Sequence, residues 1–398
     1  MSKYFKSLNP MRKTLIILIL FFITNAVSAQ ETPKAIFGKT TGDLPFLEYG
    51  MGKDRLGGAK MTYLDTGIVM RVVDSVKSSY LVQLSKSQTA YIPKNNFTIL
   101  PKIISNPLAL TQSWSVYGDD NYDYVRVNLE TRLPYRSMQE INPSRIVVDI
   151  FGAVSNTNWI TQLRSVKEIK NVYHEQIEND VFRVTIELNH QQHWGYSVAY
   201  VNKSLVIKVK RQPKRLKASS LAIAIDAGHG GSAIGAGGIT KDINEKTYTL
   251  IFAKELENLL NKKGSKTFMT RTEDKDVSMS ERIAALKKED PNILISLHLN
   301  SSSNKNAKGT STYYRYIGFR PLSQAILNRM LDLDLKEYGN IGSFNFSLNG
   351  PTEYPNCLVE IAFISNEEDE KKIIDPKFHK QVAKQIYKGI NDWLKANR

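Results

Sequence analysis

Apolar and polar positions change rhythm along this chain. From about Ala35 to Pro101, short alternating runs separated by turn residues, Thr66–Val73, Tyr80–Leu84 and Thr89–Pro93, carry the period of two that predicts half-buried strands. A small barrel is the expected result. The alternation continues from about Leu108 to Lys210, in Tyr124–Leu129, Arg145–Ile150, Phe182–Leu188 and Ser204–Val209, and strands repeated at this spacing predict a β-sandwich. Arg211–Ser220 is basic, with one proline, two serines and no apolar period, and reads as a linker. Beyond it the pattern alternates between strand and helix. Strands are expected at Leu221–Ile225, Ser265–Thr270, Asn292–Leu297, Thr310–Tyr316 and Cys357–Phe363, with helices at Lys246–Leu260, Met279–Lys287, Leu322–Leu335 and His379–Ala396. The fold class is therefore an α/β domain with a mixed sheet flanked by helices, preceded by two all-β domains.

A length of 398 residues exceeds one ordinary core. The expected division is 1–29, 30–103, 104–210, 211–219 and 220–398. The first segment has Lys3, Lys6, Arg12 and Lys13, then the apolar run Leu15–Ile23, then Val27-Ser28-Ala29. That order predicts a secretory signal cut after Ala29, since so short a run falls well below the roughly 20 residues of a membrane span. The expected location is the periplasm or cell envelope. Cys357 is the only cysteine, so no intrachain disulfide forms, and its apolar neighbours suggest a buried small hydrophobe rather than a nucleophile.

The net charge of +15 invites a nucleic-acid reading until it is located. Residues 221–398 hold 25 Lys+Arg against 22 Asp+Glu, so the excess lies earlier, chiefly in the leader and in Lys208, Lys210, Arg211, Lys214, Arg215 and Lys217. It marks a linker rather than a binding face. A solvated tether extended by self-repulsion is expected there, with contact to anionic wall polymer or membrane surface as the alternative.

Two of the six histidines share one structural address, at or just past the carboxyl end of an apolar strand: His229 in Asp226-Ala227-Gly228-His229-Gly230-Gly231, and His298 in Ser296-Leu297-His298-Leu299-Asn300. Strand ends of this kind line the ligand crevice of open α/β sheets. Glu245 opens the following helix, where a carboxylate is favoured. Two imidazoles and a carboxylate form a set that leaves a fourth tetrahedral position open, as in catalytic zinc sites. Glu360, an acid inside the apolar strand Leu358–Phe363, is the candidate proton shuttle, because desolvation raises a carboxyl pKa towards useful acid/base values. The glycine-rich run Gly228–Gly238 lacks Gly-Lys-Ser/Thr and Rossmann spacing, which argues against a phosphate loop. His190 and His193 form a His-x-x-His pair with no third ligand nearby in sequence, and read as a polar strand end.

These stretches carry family resemblances. The strand order before Phe97–Leu100 resembles bacterial SH3-like domains, which implies a wall-binding or interaction module. The Ile146–Ala153 and Leu205–Val209 strands resemble the AMIN domain that precedes many periplasmic amidases and localises them. The last 178 residues resemble zinc-dependent N-acetylmuramoyl-L-alanine amidases of the AmiC type, through Ile225–Gly231, Glu245-Lys246, Thr270-Arg271 with Asp274 and Ser280–Arg282, Ser296–Asn300, and Leu358–Asn366 before an acidic run. The resemblance implies His229, Glu245 and His298 as Zn2+ ligands and Glu360 as the catalytic acid/base; the choice of Glu245 over Asp242 rests on it. Asn300, Arg271 and Arg282 are candidate substrate contacts, although the two arginines could equally bridge acidic neighbours. Ala227 stands where the family usually has proline, and Leu348–Pro355 lacks the basic residue often found before the last strand. The stretch between His298 and Glu360 is too short for the inhibitory helical plug of some relatives. The implied activity is hydrolysis of the amide between N-acetylmuramic acid and the L-alanine of the stem peptide. The alternatives are a non-catalytic wall-binding protein or a same-fold zinc amidase or peptidase acting on another amide. Expected partners are peptidoglycan and a protein activator, with no nucleic acid and at most peripheral membrane contact.

Overall fold

Alternating side chains in the first half of the chain become strands whose apolar faces meet in one core. The structure is a computed structural model and describes residues 35–52, 56–101 and 108–398; the expected signal segment at 1–29 lies outside the described residues. Strands between Ile36 and Ile99 form a seven-stranded sheet, with Ile36–Thr40 antiparallel to both Val69–Val76 and Phe97–Ile99. The next region has a five-stranded and a four-stranded sheet. In its strand Tyr122–Val127 every second residue, Asp123, Val125 and Val127, is buried. Val116, Val125 and Ile207 of one sheet pack with Val148, Val184 and Ile186 of the other, and Leu47, Val82 and Ile92 of the first region join the same apolar cluster. The two all-β domains thus share a continuous core.

The α/β domain holds strands β1 (Ala222–Ala227), β2 (Lys266–Met269), β3 (Ile293–Asn300), β4 (Thr310–Tyr313), β5 (Glu337–Ile341) and β6 (Asn356–Phe363). Its helices are α1 (Glu245–Lys262), α2 (Met279–Glu289), α3 (Arg320–Met330), α4 (Glu367–Ile373) and α5 (Pro376–Ala396). The sheet order is β2-β1-β3-β6-β4-β5. The first four strands are parallel, and β4 runs antiparallel to β6. Residues on one face, including Ile223, Ile295, Val359 and Ile361, pack with α1, α3 and α5. Ala224 and Leu294 face the other way, towards Ile283 and Leu286 of α2.

Three elements depart most from expectation. The helix expected to reach Leu335 ends at Met330, followed by a 3-10 turn to Leu333 and a left-handed Asp334. The chain then forms β5, an edge strand without a buried residue, so no alternating apolar signal marks it. Helix α4 is capped by the Asn366 side chain, which accepts from the Glu368 and Asp369 N–H groups; its seven residues are too few for a clear period.

The basic stretch is anchored rather than a free tether: Lys214, Arg215 and Lys217 are exposed, but the residues around them are packed. Lys210 is 6% exposed, donates to the Pro291 carbonyl at 2.7 Å and pairs with Asp290 at 2.7 Å. Arg211 pairs with buried Asp123 at 2.7 Å. Leu216 and Ala218 enter the α/β core beside Trp194, whose ring lies 4.9 Å from that of Trp393. Neutralising acids and buried apolar surface outweigh the like-charge repulsion that would extend a free linker. No helix among the described residues is long and apolar enough to cross a membrane.

Candidate metal centre

Strand β1 delivers its chain to a turn that only a special backbone can make. His229, Gly230 and Gly231 have φ values of 61, 130 and 57°, and a Cβ at Gly230 would lie 2.5 Å from the Lys275 carbonyl. Two buried arginines hold this turn from beneath. Arg271 donates to the carbonyls of Ala227 and Gly228 at 2.9 Å and of Lys246 at 2.8 Å. Arg282 donates to the carbonyls of Ala227 at 2.9 Å and His229 at 2.6 Å, and pairs with Asp226 at 2.6 Å. Each is 1% exposed. Of the two readings open for Arg271 and Arg282, substrate contact or bridging to acidic neighbours, the geometry favours the second: their donors go to loop carbonyls and Asp226, and both guanidinium groups lie below the surface.

Asp226, three residues before His229, links the strands under the site. Its carboxylate accepts from Thr270, Arg282 and Ser296. Burial pushes its carboxyl up, but the Arg282 charge, with His298 and these bonds, reverses the effect and holds it below its ordinary value. A buried charge is tolerated here because it is paired and hydrogen-bonded.

Glu245 is the first residue of α1, after Asn244, whose side chain caps the helix by accepting from Thr247 N–H. The Glu245 carboxylate is nearly buried and stands between the two imidazoles. Oε1 is 3.0 Å from His298 Nδ1 and Oε2 is 3.1 Å from His229 Nε2. Backbone donors complete its orientation: Leu299 N–H to Oε1 at 3.0 Å and Ala236 N–H to Oε2 at 2.9 Å. The β3–β6 ladder shifts register between His298 and Asn300, where Leu299 turns its N–H to this carboxylate. Burial alone would raise the Glu245 carboxyl; the bonds and charges of His229 and His298 more than reverse this and hold it well below the carboxylate range. For His298 burial works downwards, and Glu245 overcomes it and raises the imidazole.

Ligand atoms of His229, Glu245 and His298 all lie within 4.8 Å of one another. Tetrahedral zinc ligands at about 2.0–2.1 Å from the metal are about 3.3 Å apart, close to the spacings above. His298 Nε2 is buried without a hydrogen-bond partner among the described residues, so the donor set has coordinating capacity to spare. These residues fit a zinc ion on geometry and donor chemistry.

Glu360 is the register neighbour of His298 across the parallel β3–β6 ladder, so both side chains stand on the same face of the sheet. It is half-buried, and its β4 register partner is Ser311. Asn300, at the end of β3, reaches the Tyr313 hydroxyl at 3.5 Å. That hydroxyl also lies 3.4 Å from Ser311 Oγ. Burial, with the Glu360 charge among its causes, raises the Tyr313 phenol. Sequence reasoning missed Tyr313, since only the pairing of β4 with β6 brings it near Glu360. Phe346 was missed for the same kind of reason: it arrives on a loop, with its ring 5.4 Å from that of His298.

Residues 223–392 match the family model described as N-acetylmuramoyl-L-alanine amidase, and residues 115–212 match that of the AMIN domain. The chain is similar to a probable cell wall amidase, LytH, of Staphylococcus epidermidis, with 35% identity over 176 residues covering 44% of this chain and 58% of the relative. The protein of the same description from Staphylococcus saprophyticus is 31% identical over 208 residues, covering 52% of this chain and 68% of the relative. The chain thus spans 58% of the length of the first of these relatives. A solved N-acetylmuramoyl-L-alanine amidase from Clostridium difficile 630 is 30% identical, with a TM-score of 0.43, covering 44% of this chain and 98% of that one.

Proposed function

Because the chain belongs to the N-acetylmuramoyl-L-alanine amidase family, we propose that it hydrolyses the amide joining N-acetylmuramic acid to the L-alanine of the peptidoglycan stem peptide. The observation that carries this is the convergence of His229, Glu245 and His298 within 4.8 Å, with Glu360 beside His298 on the next strand. Zinc held by these three side chains would leave one position open, polarise a carbonyl and make a water acidic near neutral pH.

The chain's own groups then divide the work. Glu245 is fixed by the Ala236 and Leu299 N–H groups, so its two oxygens keep both imidazoles in place. Arg271 and Arg282 maintain the strained turn that presents His229. Glu360 accepts the proton of the attacking water at its carboxylate and passes it to the alanine nitrogen as the carbonyl carbon–nitrogen bond breaks. The products are a free lactyl carboxylate on the glycan and a stem peptide with a free amino end. In this reading the division is the one expected from the sequence: 30–103 SH3-like, 104–210 AMIN-like, 211–219 connecting and 220–398 catalytic. The β-rich domains localise the enzyme on the wall, the leader exports it to the cell envelope, and a protein activator is a second partner.

The test is incubation of the zinc-loaded full chain with purified peptidoglycan and mass analysis of the fragments. Stem peptides beginning with free L-alanine are expected. Cleavage only at another bond, or intact polymer after prolonged incubation, would remove the proposal.

A further inference from the structure

The loop 342–350 between β5 and β6 touches two parts of the molecule at once. On one side its rings lie against the candidate centre. Phe346 meets His298 edge-on, Phe344 stacks near Phe346 at 6.2 Å, and Tyr313 approaches Phe344 at 4.5 Å. Phe344 and Phe346 are only partly buried, so aromatic surface remains open beside His298.

Between these rings, Asn345 faces the seven-stranded N-terminal domain. Its Oδ1 accepts from Lys60 N–H at 3.1 Å, while its Nδ2 donates to the Gly58 carbonyl at 2.7 Å and lies 3.4 Å from the Leu56 carbonyl. One amide side chain so pairs with both a donor and an acceptor of a foreign backbone, as a strand edge would. Arg315 reinforces the grip, reaching Asn345 Oδ1 at 3.4 Å with Nη1 and donating to the Lys60 carbonyl with Nη2. The loop benefits from such a clamp, because non-glycine Ser343 sits at a φ of 55° and residues 342–347 are not buried. Backbone in that region is held by its surroundings.

We propose that Asn345 is a positioning residue through which the N-terminal domain sets Phe344 and Phe346 as the substrate-side wall of the site. The proposal rests on the hydrolase reading above. The wall is built from aromatic rings and clamped from another domain.

The experiment uses the full chain. Asn345→Ala removes both backbone pairings and loosens the wall, so substrate affinity should weaken by roughly tenfold. KM for a soluble muropeptide is expected to rise by that factor while kcat stays within about twofold and zinc content is unchanged. Amide hydrogen exchange of 342–347 should accelerate, with that of Ser204–Lys210 unaltered. Phe346→Leu should raise KM similarly, and the double variant no further than the larger single change, because both act on one wall. Unchanged exchange in Asn345→Ala would show that the clamp does not hold the loop. Faster exchange with unaltered KM, or additive effects in the double variant, would show that the loop does not serve the substrate. A parent that neither binds nor cuts muropeptide overturns the hydrolase reading and this proposal together; a parent that cuts while Asn345→Ala is indifferent overturns this proposal alone.

Discussion

Two histidine pairs in this chain use the same side chain in opposite ways. His229 and His298 are far apart in sequence, yet in-register pairing of Ala227 with Leu297 on parallel β1 and β3 places the residues that follow side by side, with rings 5.1 Å apart. His190 and His193 are three residues apart and diverge. His190 bonds Glu168 at 2.7 Å, whereas His193 donates to the Glu140 carbonyl at 2.8 Å and lies 3.3 Å from Ser144 Oγ. Position at a strand end, rather than spacing in sequence, decides which pair can share a ligand. Electrostatics separates them too. Burial lowers His193 to about 4, with only a carbonyl to oppose it, whereas the Glu245 carboxylate raises equally buried His298.

The strongest way to break this comparison is to remove one member of each pair. His298→Ala should abolish both zinc binding and hydrolysis, because one of three protein ligands is lost. Neither His190→Ala nor His193→Ala should change zinc content, as elemental analysis of the purified variants would reveal. Glu360→Gln separates chemistry from coordination: it keeps shape but cannot accept a proton, so hydrolysis should fall by at least ~100-fold with zinc near the parent level. Loss of zinc in that variant would make Glu360 a ligand rather than a shuttle.

The next effect lies beneath the converging pair. Asp226→Asn leaves Arg282, 1% exposed, without its carboxylate in the interior. Breaking such a buried pair costs about 3–5 kcal/mol. Denaturant unfolding should detect that loss, and a change below about 1 kcal/mol would show that the Ser296, Thr270 and backbone bonds suffice to hold the turn.

Much of the converging site is legible in sequence because it is tied to strand ends with strong apolar runs and to glycines whose φ no other residue adopts easily. What is illegible comes from long-range packing. Tyr313 and Phe346 reach the site on an antiparallel strand and a loop. The roles of Arg271 and Arg282 depend on which carbonyls lie above them, and a sequence shows only that they are cations. The basic stretch misleads for a related reason: its charges suggest solvent, but Asp123 and Asp290, distant in sequence, neutralise Arg211 and Lys210. The domains also touch across positions far apart in sequence, since Trp393 donates from Nε1 to Gln192 Oε1 at 2.8 Å.

A smaller effect sharpens the contrast through pH. The folded His193 has a pKa of about 4 against an ordinary 6.5, so between these values the unfolded chain binds more protons than the folded one. Its neutral form therefore contributes stability that is complete above about pH 6.5 and declines as pH falls towards 4, by about 2 kcal/mol at pH 5. His193→Gln removes the titrating group, and its unfolding free energy should depend less steeply on pH between 7 and 5. A slope identical to the parent's would place the acid sensitivity elsewhere.

The smallest expected effect belongs to His190. Its side chain is 42% exposed while its partner Glu168 is 3% exposed, so the pair straddles the surface and solvent screens most of its attraction. Glu168 also has the Gln212 N–H at 3.2 Å, which remains when the imidazole is removed. A pair screened by solvent on its histidine side is worth about 1 kcal/mol or less. His190→Gln, which retains a polar side chain, should therefore change unfolding free energy by less than about 1 kcal/mol and leave zinc content and hydrolysis at the parent level. A loss several times larger would mean that the imidazole is a required partner of Glu168; a loss of zinc would undo the distinction between the two pairs.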